Sequence, residues 1–214
     1  MPDGSIDFRP AISGKPAKSP QPRKMSVTHA ETIEDIMRVT AIRAAVYMTE
    51  QDYGYEEEFD GNDFCATHLI GWVGQEPAAC LRIRYFGGFA KIERVAVRPP
   101  FRNTRIVFTL VRAAFQHCTR KGFSKVVGHA REDLIPLYKM FGCKVAERSK
   151  DTGVYADSNF LYMEMIWEGE LPEDAITLSS DPYALIRTEG RWDAPGAMEQ
   201  GLLDRSDQMA VAAE

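Results

Sequence analysis

A proline pair at residues 99–100, set between a strand pattern and a helix pattern, constrains this chain more than any other feature. Residues 91–97 mix long polar side chains with β-branched apolar ones, which predicts a strand. Proline cannot donate to a strand ladder and disfavours helix in the preceding residue, so residues 98–101 should form a turn. Apolar residues then recur at helical spacing, and Asn103 or Thr104 can cap that helix. Backbone amides at such a helix start are suited to bind an anion.

The residues of this turn resemble the pyrophosphate loop of the GNAT superfamily of N-acetyltransferases, whose pattern is V-x-P-x-x-R-G-x-G-I/L-G/A-x-x-L. The matching positions are Val97, Pro99, Arg102, Ile106 and Leu110. The glycine positions of the pattern hold larger residues, which crowd the backbone approach to a pyrophosphate; they are Asn103, Arg105 and Val107. The resemblance implies that the loop binds the coenzyme A pyrophosphate through Arg102, Asn103, Thr104, Arg105, Ile106 and Val107. It also implies that the pantetheine arm contacts the main chain of Val95, Ala96 and Val97.

A second segment strengthens the resemblance. Residues 136–142 read P-L-Y-x-x-F-G, which is similar to the GNAT segment P-F/L-Y-x-K/R-x-G-F, with Met140 at the basic position and Cys143 at the last one. A tyrosine of GNAT enzymes commonly protonates the leaving thiolate, and the resemblance implies this role for Tyr138. The alternative is a core aromatic residue on an amphipathic helix. Both segments occur in the family's order, and the resemblance covers about residues 31–167.

The resemblance implies the GNAT fold, an α/β (α+β) architecture in which helices flank a mixed antiparallel-parallel sheet. The residue patterns support it, because three strands in succession precede the helix that follows the proline turn. A helix that connects two neighbouring strands makes that pair parallel. The predicted strands are 68–73, 78–85, 91–97, 125–129, 144–148 and 159–167, with a turn around 151–157. Further helices are predicted from Thr28 or Thr32 to about residue 47 and over 134–141.

The chain divides into three predicted regions. Residues 1–27 are rich in Pro and Lys and should be a disordered tail, whereas residues 28–168 should form the acyltransferase domain. Residues 169–214 form an acidic, partly disordered extension, in which residues 183–186 are apolar enough to dock as an extended strand or lid.

Composition excludes several classes of function. With 214 residues and a net charge of −5, the chain has no general affinity for nucleic acid or an anionic membrane. No apolar run approaches the roughly 20 residues of a membrane span. The cysteines lack metal-ligand spacing and are expected to be reduced and buried, which indicates a cytoplasmic protein without a metal; they are Cys65, Cys80, Cys118 and Cys143.

Residues 49–63 form an acidic, aromatic loop that is either a solvated face or a mouth that attracts a cationic amine. A weaker resemblance bears on this choice. The order of Arg43, then Asp60 and Asp63, then Arg82 is similar to the order in acyl-homoserine lactone synthases. It implies that the substrate contacts Arg43, Glu57, Asp60, Asp63 and Arg82.

Three further side chains are candidates for chemistry or binding. Arg84 lies on the same strand face as Arg82, and the two either form ion pairs with the acidic loop or bind a substrate carboxylate. Glu93 is the best base by resemblance to GNAT enzymes, although cross-strand pairing with an arginine is its alternative. Arg94, its neighbour, should point to the opposite face. His129 has a pKa suited to proton transfer, and a structural histidine is its alternative.

The sequence therefore predicts an N-acyltransferase that moves an acetyl or longer acyl group from coenzyme A to a small-molecule amine, by direct attack in a ternary complex. One alternative takes the acyl group from acyl carrier protein to make an N-acyl amino acid or a homoserine lactone-like product. Another is a GNAT-fold binding protein without catalysis. A homodimer is compatible with the sequence, and no nucleic-acid or membrane partner is expected.

Overall fold

The computed structural model describes residues 24–150, 155–157, 160–201 and 205. Most of the predicted tail, the turn at 151–154 and the end of the C-terminal extension therefore lie outside the described residues. The strands are β1 (Met25–His29), β2 (Thr67–Val73), β3 (Glu76–Phe86), β4 (Phe89–Val97), β5 (Lys125–Arg131), β6 (Lys144–Val145), β7 (Tyr155–Asp157) and β8 (Phe160–Glu168). The α-helices are α1 (Ile33–Arg43), α2 (Tyr55–Glu58), α3 (Ile106–Arg120) and α4 (Ile135–Lys139). No helix of the described residues is long and apolar enough to cross a membrane.

The strands form one mixed sheet in the order β1-β2-β3-β4-β5-β8-β6, and β7 pairs with β8. β4 and β5 run parallel because α3 connects them, whereas the other described pairs are antiparallel. The predicted mixed sheet flanked by helices is confirmed.

Apolar helix faces cover both sides of the sheet. On one side α3 buries Ile106 and Leu110 against a core that includes Leu81 and Ile83. On the other side α1 and the π-helical turn that follows it, Ala44–Met48, pack on the sheet. The second core consists of Val39, Ile42, Val46, Ile70, Cys80 and Ala96. With both faces covered, a ligand has access to the central strands only where the sheet itself opens.

A β-bulge distorts β4 in the middle of the sheet. Two residues of β4, Arg94 and Val95, lie opposite the single residue Leu81 of β3, which is the arrangement of a bulge. Arg94 has φ +55°, which lies in the left-handed backbone region that residues other than glycine rarely adopt. The bulge brings Arg94 to the same side of the sheet as Glu93. Arg94 pairs with Asp60 of the acidic loop, and Glu93 pairs with Arg82, which binds the same Asp60. The prediction that these two neighbours point to opposite faces is therefore wrong.

Beyond the bulge the sheet splits. β4 and β5 pair only from Ala90 to Ile92, opposite Val126 to Gly128, although β4 continues to Val97 and β5 to Arg131. The two strands diverge beyond this point and leave a V-shaped opening in the sheet.

Two predicted elements differ at their ends, and of the two predicted caps of the first helix Thr32 is confirmed. Thr28 lies in β1, which pairs with β2, and the first helix starts at Ile33 with Thr32 as its cap. β6 ends at Val145, so the predicted strand at 144–148 is shorter than expected.

Three local details also differ from the predictions. Residues Pro182–Leu185 form a 3-10 turn rather than an extended strand. Cys65 is exposed, whereas the other three cysteines are buried as predicted. Arg105 occupies the cap position of α3, but the hydroxyl of Thr104 does accept a hydrogen bond from the Ile106 amide at 3.3 Å.

The segment after β8 returns to the sheet through Glu189. Its carboxylate accepts hydrogen bonds from Lys121 Nζ at 2.7 Å and from the hydroxyls of Thr67 and Tyr85. The same carboxylate lies 3.1 Å from His117 Nε2 at the end of α3. This anchor ties the C-terminal segment to the end of the sheet away from the opening.

Candidate active site

The opening between β4 and β5 is a cleft of ≈ 660 Å³. One part is apolar, and includes Val107, Val111, Phe115, Val126 and Trp167. The other part is polar and charged, and includes Glu50, Arg84, Lys91, Glu93, His129 and Arg131. The lining therefore offers both apolar and charged contacts to a ligand.

The loop between β4 and α3 forms one rim of the cleft. Arg102, Thr104, Ile106 and Val107 line it, together with Val95 and Val97. Within the described residues, the amides of Asn103, Arg105 and Val107 have no protein acceptor. Three amides without partners near a helix start can donate to phosphate oxygens. The side chains of Asn103 and Arg105 are exposed outside the cleft, and Ala96 is buried in the core. The predicted donor contacts of all nine residues stay predictions.

Glu50 pairs with the arginine of this loop. Arg102 Nη2 donates to Glu50 Oε2 at 2.5 Å, and Arg102 Nε donates to the Val97 carbonyl at 3.2 Å. Both side chains of the ion pair are partly exposed. The guanidinium therefore lies at the mouth of the cleft, where a phosphate group could replace Glu50 as its partner.

Tyr138, on α4, lines the cleft. Its ring packs against the core beneath α3, and burial raises the pKa of Tyr138 to about 12. The hydroxyl has no hydrogen-bond partner in the part of the chain that the structure describes. A tyrosine that stays protonated at neutral pH and has a free hydroxyl can donate a proton or a hydrogen bond to a ligand.

His129, on β5, lies in the polar part of the cleft beside Glu164 of β8. Its Nε2 is 3.7 Å from Glu164 Oε2, and that carboxylate also accepts hydrogen bonds from Arg148. Burial and the charge of Lys91 lower the pKa of His129 below its ordinary 6.5, while Glu164 acts in the opposite direction. The imidazole is therefore neutral at pH 7 and can accept a proton.

Glu93 also lines the cleft, but its carboxylate lies near three cations, Arg82, Arg84 and Lys91. Its Oε1 accepts from Arg82 Nε at 3.0 Å, and its Oε2 lies 2.7 Å from Lys91 Nζ. Burial favours the neutral carboxyl, yet the hydrogen bond from Lys91 and the charges of Arg82 and Lys91 hold the pKa of Glu93 below its ordinary value. A carboxylate with a low pKa is a weak proton acceptor. The cross-strand arginine pairing considered for Glu93 is present.

A sequence model described as the Acetyltransferase (GNAT) family matches residues 33–143, more than half of the chain. The chain belongs to this GNAT family. Its N-acyltransferase relatives include the "Uncharacterized N-acetyltransferase YjcF" of Bacillus subtilis (strain 168), which is 23% identical over 142 residues. That match covers 66% of this chain and 99% of YjcF.

Solved structures support the same fold. An acyl-CoA N-acyltransferase from Pseudomonas aeruginosa matches with a TM-score of 0.58 and 23% identity, over 68% of this chain and 99% of that one. A GNAT family acetyltransferase from Elizabethkingia anophelis, solved with acetyl-CoA bound, matches with a TM-score of 0.51 and 13% identity, over 67% and 97% of the two chains. The prediction of a GNAT-type N-acyltransferase fold is confirmed.

In the acidic loop of this GNAT protein, the carboxylates of Glu58, Asp60 and Asp63 pair with arginines. Arg43 is 2% exposed and pairs with Glu58 and Asp63, while Arg82 is 0% exposed and pairs with Asp60 and Asp63. The side chain of Glu57 accepts from the Gly54 amide at the start of α2. Of the five predicted substrate-binding residues, Asp60 lines the cleft. Their substrate contacts stay predictions, but the arginines stabilise the loop.

Sequence reasoning missed four residues that shape the cleft, namely Tyr47, Glu50, Tyr53 and Tyr162. The Tyr47 hydroxyl donates to the Val95 carbonyl at 2.8 Å, next to the bulge. The hydroxyls of Tyr53 and Tyr162 lie 2.6 Å apart. These residues come from the π-helical turn, the loop after it and β8, and no motif at the sequence level connects them.

Proposed function

We propose that this protein transfers an acetyl or longer acyl group from coenzyme A directly to the amine of a small molecule. The observation that carries the proposal is that Tyr138 lines the cleft between β4 and β5 and that its hydroxyl has no hydrogen-bond partner among the described residues. A proton donor at the junction of an apolar and a polar region is what transfer from a thioester requires.

The residues present fit a coenzyme A donor. The free amides at the start of α3 suit the pyrophosphate, and Arg102 is close enough to add charge. The apolar part of the cleft suits the pantetheine arm, with Val107 and Phe115 among its walls. Acetyl-CoA is bound in the neighbour from Elizabethkingia anophelis, which supports the same donor here.

The reaction needs one bond to form and one to break. The amine nitrogen attacks the thioester carbonyl carbon, a C–N bond forms, and the C–S bond breaks. His129 takes the proton that the amine loses, and Tyr138 gives a proton to the sulfur that leaves. His129 suits the role of base better than Glu93, because it is neutral and its orientation is set by Glu164, whereas Glu93 is held by cations.

The pH dependence of the reaction should report the titration of His129. The neutral imidazole is the active form, so kcat/KM should fall as the pH falls through a value below 6.5. His129→Gln should lower kcat/KM by about 100-fold and remove this acidic limb. Steady-state rates of coenzyme A release between pH 5 and 9 would show it. His29→Gln, whose imidazole lies outside the cleft, should keep the limb; an unchanged limb in His129→Gln would assign it to another group.

The donor site is tested most directly by titrating acetyl-CoA and a long-chain acyl-CoA into the purified protein by calorimetry. We expect binding of acetyl-CoA and about tenfold weaker binding by Arg102→Ala, since a charge-assisted hydrogen bond to phosphate is lost. Arg112→Ala, an exposed residue elsewhere on α3, is the matched control and should bind as the wild type does. The absence of binding of either donor by the wild type would overturn the proposal.

A further inference from the structure

A row of charged side chains crosses the sheet along the polar wall of the cleft. In the β3–β4 register Arg84 lies opposite Lys91, and Arg82 lies opposite Glu93. In the β4–β5 register Lys91 lies beside Val127, and His129 follows two residues later on the same face. The proposed base His129 therefore shares one wall of the cleft with Arg84, Lys91 and Glu93.

Most of the charge beside this wall is neutralised. Three arginines pair with three carboxylates in the buried loop network, which consists of Arg43, Arg82, Arg94, Glu58, Asp60 and Asp63. At the mouth Arg102 pairs with Glu50, and near β5 Arg131 pairs with Asp133. On the wall itself Lys91 donates to Glu93. Among the described residues that line this wall, Arg84 has no carboxylate of its own, because Glu93 also pairs with Arg82 and Lys91.

Arg84 donates no hydrogen bond to any residue that the structure describes. Its closest charged partner is Glu93 Oε1 at 3.7 Å, and that oxygen already accepts from Arg82. The guanidinium is partly exposed, and it stacks over the ring of Phe86 at 5.1 Å from the ring centre. Within the described residues, the five N–H donors of this guanidinium are therefore unused.

We propose that the acyl acceptor is an amine that also carries a carboxylate, as an amino acid does, and that Arg84 binds this carboxylate. The inference rests on the proposed function, because it assigns the acceptor half of the same cleft. A planar guanidinium pairs with a carboxylate through two parallel hydrogen bonds, and one excess positive charge matches one negative charge. An amine without a carboxylate would leave the positive charge of Arg84 uncompensated, next to the positive charge of Lys91 on the opposite strand. The carboxylate would hold the acceptor on the wall that His129 shares.

The test measures binding of the N-acetylated products of the proposed reaction, so that no acceptor has to be known in advance. Calorimetry would measure the binding of the N-acetyl derivatives of the twenty common amino acids to the protein saturated with coenzyme A. The matching N-acetyl amino acid amides, which lack the negative charge, form the paired series. The proteins are the wild type, Arg84→Gln and, as a matched control, Arg38→Gln, whose guanidinium is exposed on α1 and pairs with Asp35.

At least one N-acetyl amino acid should bind the wild type and the Arg38→Gln variant about 10- to 100-fold more tightly than its amide. Arg84→Gln should lose this preference and keep its affinity for coenzyme A. Equal binding of acids and amides by the wild type, an acid preference that survives in Arg84→Gln, or binding of neither series by a protein that binds coenzyme A would each overturn the inference. Failure to bind coenzyme A would instead overturn the proposed function.

Discussion

Tyr138→Phe is expected to lower kcat by about 100-fold while the affinity for acetyl-CoA stays within about twofold of the wild type. The variant removes only the hydroxyl, and the ring keeps its packing beneath α3. The thiolate must then leave without a proton from the protein, which raises the barrier by about 2.7 kcal/mol for a hundredfold loss. Release of coenzyme A, followed with a thiol reagent and the best amine found in a screen, would measure kcat.

Stability offers an internal check on that result. The Tyr138 hydroxyl has no protein partner among the described residues, so its removal should change the free energy of unfolding by less than about 0.5 kcal/mol. Tyr55→Phe is the matched control, because Tyr55 is 70% exposed and lies outside the cleft, and its kcat should be unchanged. If Tyr138→Phe kept its full rate, Tyr138 would be a packing residue rather than the acid.

The bulge connects the acidic loop to the cleft, because Arg94 contacts the loop and lines the cleft. Arg94 takes a left-handed conformation that costs a non-glycine residue about 1–2 kcal/mol. Its guanidinium donates to the Glu57 carbonyl of α2 and forms ion pairs with Glu58 and Asp60. These contacts offset the backbone strain. We infer that the loop, which sequence reasoning treated as a solvated face or an amine trap, holds β4 in the shape that opens the cleft.

Local patterns were sufficient to predict most of the sheet and α3. Val97, the proline pair and Ile106 fix the strand, turn and helix start within one short stretch, so no distant contact was needed to interpret them. Tyr138 and His129, which line the cleft, could be proposed as candidates for the same reason, since each belongs to a short segment next to a predicted strand.

Features that depend on contacts far along the chain were missed. Thr28 belongs to a strand only because β2, about 40 residues later, pairs with it. The bulge at Arg94 requires α2, and the orientation of His129 requires Glu164. Arg82 and Arg84 have the same residue type and lie on the same strand face, yet Arg82 is buried in ion pairs and Arg84 lines the cleft. The hydrogen bonds of Arg82 to Asp60, Asp63 and Glu93 distinguish the two arginines.

Arg82→Met should destabilise the protein by about 3–5 kcal/mol, the largest effect on stability that we expect from one substitution. Arg82 is 0% exposed and donates to Asp60, Asp63 and Glu93 at 2.6–3.0 Å. Methionine fills a similar volume but leaves three partly buried carboxylates without the cation that they share. Urea unfolding at pH 7, followed by circular dichroism, would measure the difference in the free energy of unfolding.

The pH dependence of that difference separates lost charge pairing from lost packing. Burial opposes ionisation of Asp60, but its hydrogen bonds from Arg82 hold its pKa well below the ordinary 3.8. A carboxylate with a lowered folded-state pKa stabilises the protein above its unfolded pKa, and this contribution is lost as the pH falls below about 4. The gap between wild type and Arg82→Met should therefore shrink between pH 5 and pH 3. Arg38→Met, which breaks an exposed ion pair, should cost less than about 1 kcal/mol. A gap that stayed constant with pH would mean that Arg82 acts through packing, and the loop network would then not be what holds the bulge.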